Sequence, residues 1–166
     1  LRLEHHALAA HLDALRTVAD SIGEVGSETT LAGVDNLHGF LTHHLLPHAQ
    51  AEEAVLYPLV DQLSGVEIAT ATMRRDHAAI SRLTGQLAAL RHELQAGAPL
   101  GSVDRELRRA LYGLHVLITQ HFANEDEVYL PMLDRHLDQA AADTVTRQMQ
   151  DPTPAAAPPK HSTIAT

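Results

Sequence analysis

The chain contains two copies of one sequence unit, and this repeat restricts its fold more than any other feature. The segments PHAQAEEAVLYPLV and QHFANEDEVYLPML align without gaps and share a histidine, a glutamate, a valine and a proline. His48 recurs as His121 and Glu52 recurs as Glu125, at one constant offset, since 121 − 48 equals 125 − 52. We therefore expect two similar halves that carry the same side chains at equivalent places.

A second pair of matching segments lies upstream of the first pair. LEHHAL contains His5 and RRDHAAI contains His77, at an offset shorter by a single position, and a carboxylate residue precedes each of these histidines. Each copy thus supplies one early histidine and a later His-x-x-x-Glu pair. Two such halves can face one shared centre from opposite sides.

Apolar residues spaced by three and four positions predict that each copy is a helical hairpin. The predicted helices cover, to within a few residues, positions 1–22, 31–63, 66–95 and 102–137, and a short fifth helix follows. Four long helices with short connections predict an all-α fold, an antiparallel up-down four-helix bundle. We expect this domain to occupy residues 1–150, and the Pro/Ala-rich stretch 151–166 to form an extended tail.

The composition excludes several kinds of site and partner. There is no cysteine, which excludes disulfides, thiolate zinc sites and iron–sulfur clusters. A formal net charge of −9 argues against nucleic acid or an anionic membrane as a partner. No apolar run approaches the roughly 20 residues of a membrane span, and no signal-peptide pattern is visible. The expected location is the cytoplasm, and the thirteen histidines are the unusual feature.

The repeated histidines and glutamates have the chemistry of a metal site. Residues at i and i+4 lie on one helix face, so His48 projects with Glu52 and His121 with Glu125. With His5 the ligand count exceeds the four of a closed zinc site, and the second early histidine brings the total to six. Six ligands suit two ions bridged by the two glutamates, with positions left for oxo, hydroxo or external ligands. Imidazole and carboxylate without sulfur favour iron or manganese.

A single His-x-x-x-Glu pair has a simpler explanation, because surface pairs at this spacing are common on helices. The matched second copy is what favours a metal site over that reading. The Glu-x-x-His spacing of ferritin-like bundles is absent, since no glutamate here has a histidine three residues later.

These segments resemble the hemerythrin-like (HHE cation-binding) family. The resemblance covers residues 1 to about 137 and depends on EHHAL, HLLPHAQAEEAVLYP, RDHAAI and HFANEDEVYLP. It implies a four-helix bundle around a non-haem centre of two oxo- or hydroxo-bridged iron ions. The ligands that the resemblance implies are His5, His48, Glu52, His77, His121 and Glu125.

The chain differs from the oxygen carriers of that family in two ways. Ser81 stands where the carriers have a second histidine in the third helix, and the last histidine and its carboxylate are four residues apart rather than five. A centre with one imidazole fewer is expected to react with O₂, hydrogen peroxide or nitric oxide, as in catalase-like detoxification or in redox or gas sensing. The alternative is O₂ binding, or iron storage or sensing, without turnover, and the sequence leaves open whether the protein is an enzyme.

Several residues near these positions have more than one possible role. His44 lies one turn before His48. It is either an additional ligand or a polar cap over the open end of the bundle. Tyr129 lies on the ligand stripe and Tyr57 is displaced from it by one position. Either tyrosine is a hydrogen-bond donor to a bound peroxide, a phenolate ligand of ferric iron, or a packed side chain. Pro47 is expected to kink its helix just before the first ligand, since it lacks an N–H group.

Glu53 and Asp126 each follow one of the repeated glutamates. They lie about 100° round the helix from those carboxylates, so a solvated or interhelical position is one reading. The other reading is that each carboxylate holds the N–H group of a ligand histidine.

Overall fold

The computed structural model describes residues 2–66 and 68–151. All the regular structure within these ranges is helical, which confirms the predicted all-α bundle. Residues 152–166 of the predicted tail lie outside the described ranges. No helix in the described part of the chain is long and apolar enough to cross a membrane.

Six helices follow one another along the described ranges. In chain order they are α1 (Arg2–Ala9), α2 (Leu12–Ser21), α3 (residues 27–64), α4 (Ala71–Gln95), α5 (residues 100–136) and α6 (Gln139–Gln150). Helix α4 packs along α5, which also contacts α2, while α3 packs against α4. The predicted first helix is thus two helices, because the chain turns at residues 10 and 11.

Three of the predicted helix starts are displaced. Helix α3 begins at Ser27 and not near residue 31, so Thr30 lies inside its first turn and donates its hydroxyl to the Gly26 carbonyl oxygen. Helix α4 begins at Ala71 and not near residue 66. The Asp61 carboxylate accepts hydrogen bonds from the backbone and hydroxyl of Thr70, which holds the connection as a turn.

Helix α5 begins at Leu100, two residues before its predicted start. The Ser102 hydroxyl donates to the Pro99 carbonyl oxygen at 2.6 Å. The predicted fifth helix is present as α6, and Asp138 caps it by accepting from the Ala141 N–H group.

Two long helices contain π-helical turns. They are at Leu41–Leu45 and Glu52–Leu56 in α3 and at Glu125–Tyr129 in α5. In each case the N–H group after the turn bonds to the carbonyl oxygen five residues back, as between Tyr57 and Glu52. Such turns insert one extra residue into an α-helix and are frequent at functional sites. Two of the three begin at the repeated glutamates.

A proline follows each π turn at the same distance. Pro47, Pro58 and Pro131 each stand two residues beyond the end of a turn. A proline has no N–H group to donate, so it removes one hydrogen bond of the helix. The π turn and the proline therefore interrupt the regular hydrogen bonding of the helix in the same region. The carbonyl oxygen of Glu53, five residues before Pro58, accepts a hydrogen bond from Arg74 instead.

The irregularity predicted at Pro47 takes the form of the π turn just before it. The equivalent stretch of the second copy, residues 114–118, lies inside the regular α-helix Leu100–Asn124. The two halves therefore differ here, as the sequence predicts.

The candidate ligands lie between two apolar clusters. The larger cluster contains Leu45, Ile80 and Ile118, and the smaller contains Ala51 and Met73. His48 follows Leu45 and precedes Ala51, and His77 lies between Met73 and Ile80 in the same way. The apolar packing above and below thus fixes the height of the polar layer in the bundle.

Candidate metal centre

Six buried polar side chains from α1, α3, α4 and α5 meet inside the bundle. None is more than 6% exposed, and both carboxylates are 0% exposed. They are the predicted ligands His5, His48, Glu52, His77, His121 and Glu125. Burial of this many polar groups costs free energy unless each is paired or coordinates a metal.

Glu52 is shared by two triads of potential ligand atoms. The first triad combines it with His5 and His48, and the second with His77 and His121. Its Oε1 atom lies 2.9 Å from His48 Nε2 and 3.4 Å from His5 Nε2. Its Oε2 atom lies 3.3 Å from His77 Nε2. One carboxylate thus offers one oxygen to each triad, as a bridging ligand would.

Glu125 also spans the two triads. Its Oε2 atom lies 3.4 Å from His5 Nε2, and its Oε1 atom lies 3.6 Å from His121 Nε2. The two glutamates approach from the opposite helices α3 and α5. Each of them thus lies within 3.6 Å of a histidine from both triads.

The spacing of these atoms fits coordination to ions. Ligand atoms about 2.1 Å from one ion, at octahedral or tetrahedral angles, lie roughly 3.0–3.4 Å from one another. The measured nitrogen–oxygen distances run from 2.9 to 3.6 Å. Both ring nitrogens of His48 and the Oε2 atoms of Glu52 and Glu125 are buried without a hydrogen-bond partner among the described residues. Metal coordination would satisfy the Nε2 and Oε2 atoms. The set of donor atoms therefore fits a bound metal ion.

A second carboxylate stands behind every one of the four histidines. Asp126 accepts from His5 Nδ1–H, at 3.0 Å. Glu53 accepts from His77 Nδ1–H, also at 3.0 Å. Two looser approaches complete the set, 3.3 Å between Glu4 and His48 Nδ1 and 3.6 Å between Asp76 and His121 Nδ1. In His5 and His77 the carboxylate keeps the proton on Nδ1, so the lone pair of Nε2 points inward. In His48 and His121 the carboxylate lies near Nδ1 without forming a hydrogen bond.

Two of the inward nitrogens lie close enough to share a cation. His77 Nε2 and His121 Nε2 are only 2.9 Å apart. If both imidazoles carry their proton on Nδ1, these two nitrogens are acceptors that face each other without a hydrogen. A positive ion between them converts that repulsion into coordination.

The electrostatics of the two central carboxylates also favour a bound cation. Burial raises the pKa of Glu125, and the charge of Glu52 raises it further, to about 8. Burial also acts to raise the pKa of Glu52, but the adjacent imidazoles outweigh it and hold that pKa well below its ordinary value. Two adjacent buried carboxylates do not both ionise easily without a compensating charge. Cations in the centre would supply that charge.

The pseudo-twofold relation extends beyond the ligands. Arg2 pairs with Asp134 at 2.8 Å, and the equivalent Arg74 pairs with Asp61 at 3.4 Å. The two arginines are separated along the chain by the same offset as the early histidines, and the two aspartates by the same offset as the repeated glutamates. Both halves of the repeat thus hold their helices together in the same way around the centre.

Tyr57 brings a hydroxyl group to the second triad. It is fully buried, and its hydroxyl donates to Glu125 Oε1 at 2.7 Å. The same oxygen lies 3.1 Å from His77 Nε2 and 3.4 Å from His121 Nε2. Burial and the charges of the two central carboxylates raise the pKa of this phenol. It therefore keeps its proton, as a hydrogen-bond donor requires.

Tyr129 does not reach the centre. Its hydroxyl donates to the Ala69 carbonyl oxygen at 3.0 Å. The prediction assumed regular α-helical spacing from Glu125, but residues 125–129 form a π turn. The extra residue in that turn shifts the register by one position. The same shift in α3 brings Tyr57, five residues after Glu52, towards the site.

His44 also lies outside the cluster. It is exposed, and its ring stacks on Phe40 with 6.2 Å between centroids. It belongs to the π turn Leu41–Leu45, which breaks the α-helical register between it and His48. The polar-cap reading therefore fits His44 better than the reading as an additional ligand.

Sequence reasoning assigned no role to Glu4, Asp76 or Phe122. Glu4 and Asp76 each stand immediately before an early histidine, a signal that the sequence contains twice. The Phe122 ring stacks on His5 at 4.6 Å between centroids and 8° between planes. It directly follows His121, where the other copy has Ala49.

Fold and centre together define a helical bundle with a buried cluster of histidines and carboxylates that could hold metal ions. The Hemerythrin HHE cation binding domain family matches residues 1–133, and a second match covers residues 72–150. The chain belongs to this family. The second match begins near the start of the second copy, as an internal repeat would produce. No curated protein and no solved structure matched the chain.

Proposed function

We propose that the chain is a non-haem di-iron protein whose centre reacts with O₂, hydrogen peroxide or nitric oxide, and that peroxide disproportionation is the reaction it supports best. The observation that carries this proposal is the pair of buried triads that share Glu52. Two triads with one common carboxylate favour two ions over one. The proposed domain comprises residues 1–150, because α6 packs on α3 beside the π turn at Glu52–Leu56 and buries Met149.

In this proposal each triad would hold one ion. His5 and His48 would hold the first, His77 and His121 the second, and the two glutamates would bridge them. Imidazole nitrogen and carboxylate oxygen are suitable ligands for iron, and the absence of sulfur disfavours copper(I). Six protein ligands also leave coordination positions on two ions for an external molecule.

A pair of iron ions would supply two electrons to one peroxide and recover them from another. The overall reaction balances as two H₂O₂ giving one O₂ and two H₂O, so it needs no external electron donor. This is the reason for preferring disproportionation to reactions that consume a reductant.

Tyr57 and Glu125 would manage the protons. The Tyr57 hydroxyl, 2.7 Å from Glu125 Oε1 and protonated because of its raised pKa, can donate a hydrogen bond to a small molecule bound beside His77. The surrounding apolar cluster, with Leu56 and Val60 fully buried, keeps bulk water from that hydroxyl. The reading of Tyr57 as a donor is thus better supported than its reading as a phenolate ligand.

The proposal is tested by metal analysis followed by an oxygen electrode. Purified protein is expected to hold two irons per chain with near-ultraviolet charge-transfer absorption, and to release O₂ from added peroxide. Glu52→Ala should lose both properties, because it removes the shared ligand. His44→Ala is the matched control, since His44 is exposed and outside the cluster.

Each negative result has a distinct meaning. One zinc ion per chain would refute the di-iron centre. Two irons without O₂ release would favour the alternative, a binding, storage or sensing protein without turnover.

A further inference from the structure

We propose that external ligands reach the centre through one surface pocket between α3 and α4, and that the ion held by His77 and His121 is the one that binds them. This inference rests on the proposed di-metal centre. The candidate ligands alone do not distinguish the two ions, because each triad has two histidines and shares Glu52. The surroundings of the triads do distinguish them.

The pocket has a volume of about 370 Å³, and the His77 ring is part of its lining. Its walls include Ala49 from α3 and Ala78 and Ser81 from α4. His77 Nε2, on the inner side of that ring, lies 3.3 Å from Glu52 Oε2 and 2.9 Å from His121 Nε2. His77 is thus the residue that the pocket lining shares with the second triad.

The first triad has a phenylalanine at the equivalent place. Ala49 corresponds to Phe122 at the same offset that relates His48 to His121. The Phe122 ring lies flat on His5 and edge-on to His48, with centroids 4.6 and 6.2 Å apart. A side chain of this size covers one face of the His5 ring. The equivalent Ala49 brings only a methyl group to the pocket beside His77, whose ring stacks with Tyr57 at 5.3 Å between centroids.

Ser81 keeps the mouth of the pocket open. It lies one turn after His77 on α4, on the same face, and it is exposed. A larger side chain at this position would project over the pocket, because helical side chains lean towards the N-terminal turn. The small residues at positions 49 and 81 together make the approach passable.

The rim of the pocket restricts what can enter. Arg74 lies there with its guanidinium 5.2 Å from the Tyr57 ring centroid, and it donates to the Glu53 carbonyl oxygen. The Glu53 carboxylate is hydrogen-bonded to His77 Nδ1. One cation and one anion give the rim no strong net charge. The candidate ligands behind the pocket are at most 6% exposed, so only a small molecule can pass between their side chains. The predicted class of ligand is therefore small and either neutral, such as peroxide, or singly negative, such as azide.

Azide binding to the iron-loaded full chain tests the inference without measuring turnover. Iron content is measured first, and then the visible absorption change after mixing with sodium azide in a stopped-flow instrument. Ser81→Trp should slow azide association roughly tenfold or more, because access to the ion limits the rate. Ala89→Trp is the matched control, an exposed alanine two turns further along α4, and should leave the rate unchanged.

Ala49→Phe gives a second, independent perturbation. It installs the side chain that the second copy carries at the equivalent position, and should also slow azide association. Unchanged rates in both variants, with two irons per chain, would overturn the pocket and leave the di-iron centre standing. A wild-type chain without two irons would instead overturn the proposed function, and this inference with it.

Discussion

Replacing Glu53 with glutamine tests whether the outer carboxylates tune the metal centre through their histidines. Glu53 accepts from His77 Nδ1–H at 3.0 Å and has 43% of its side chain exposed. Loss of such a partner typically weakens metal affinity about 10–100-fold. Because solvent screens a carboxylate that is this exposed, we expect an effect at the lower end of that 10–100-fold range. We expect a loss of about tenfold, or about 1.4 kcal/mol of binding free energy.

The distances to the other outer carboxylates give an expected order. Asp126→Asn should match Glu53→Gln, because Asp126 lies 3.0 Å from His5 Nδ1 and has a similar exposure of 39%. Asp76→Asn should have the smallest effect, because its carboxylate lies 3.6 Å from His121 Nδ1. Asp76 is also the least exposed of these three carboxylates, at 28%. A purely through-space charge effect would therefore reverse this order.

Competition with a chelator of known affinity measures the effect directly. Apparent iron affinities of the three variants are compared at fixed pH and salt, with circular dichroism to establish that each variant is folded. Glu127→Gln serves as the control, since Glu127 is an exposed carboxylate on the same π turn as Asp126. The reasoning is refuted if Asp76→Asn weakens binding more than Glu53→Gln does, or if the control weakens it equally.

Three further outcomes are expected. Tyr57→Phe should keep two irons per chain but lower the rate of O₂ release from peroxide by about a hundredfold, the lower range for loss of a positioned proton donor; an unchanged rate would remove Tyr57 from the mechanism. Removal of metal with a chelator should lower the thermal midpoint, because a ligand at 100 times its Kd adds about 2.7 kcal/mol of stability; differential scanning calorimetry measures this. Leu111→Ala, at a fully buried position of the larger apolar cluster, should cost about 2–5 kcal/mol in denaturant unfolding, yet leave the iron content at two per chain.

The sequence predicts the central residues well because the repeat supplies an internal comparison. A single His-x-x-x-Glu pair is common on helix surfaces. A second such pair, embedded in a matching segment at a constant offset, is not expected by chance. The same comparison would have revealed the outer carboxylates. Glu4 and Asp76 are paired by the repeat, and the structure brings each within 3.6 Å of a ligand histidine.

The π turns are the part that periodicity could not predict. Reasoning from 3.6 residues per turn assigns Tyr129 to the ligand face, whereas the extra residue in the turn redirects its hydroxyl to the Ala69 carbonyl. Pro58 and Pro131 contain a signal, because each is a proline inside a helix at a matched position. A proline only indicates that the hydrogen-bond ladder is disturbed, and not which side chains the disturbance turns inward.

The repeat explains the ligands, and its exceptions explain how the two ions would differ. The four histidines, the two central carboxylates and the outer arginine–aspartate pairs obey the pseudo-twofold relation. The relation fails where Ala49 corresponds to Phe122 and where Tyr57 corresponds to Leu130. Both exceptions act on the same side, because the small residue opens a pocket to His77 and the tyrosine hydroxyl lies 3.1 Å from that histidine. A symmetric cage with one open, hydroxyl-bearing side can hold two ions alike and still direct an incoming ligand to one of them.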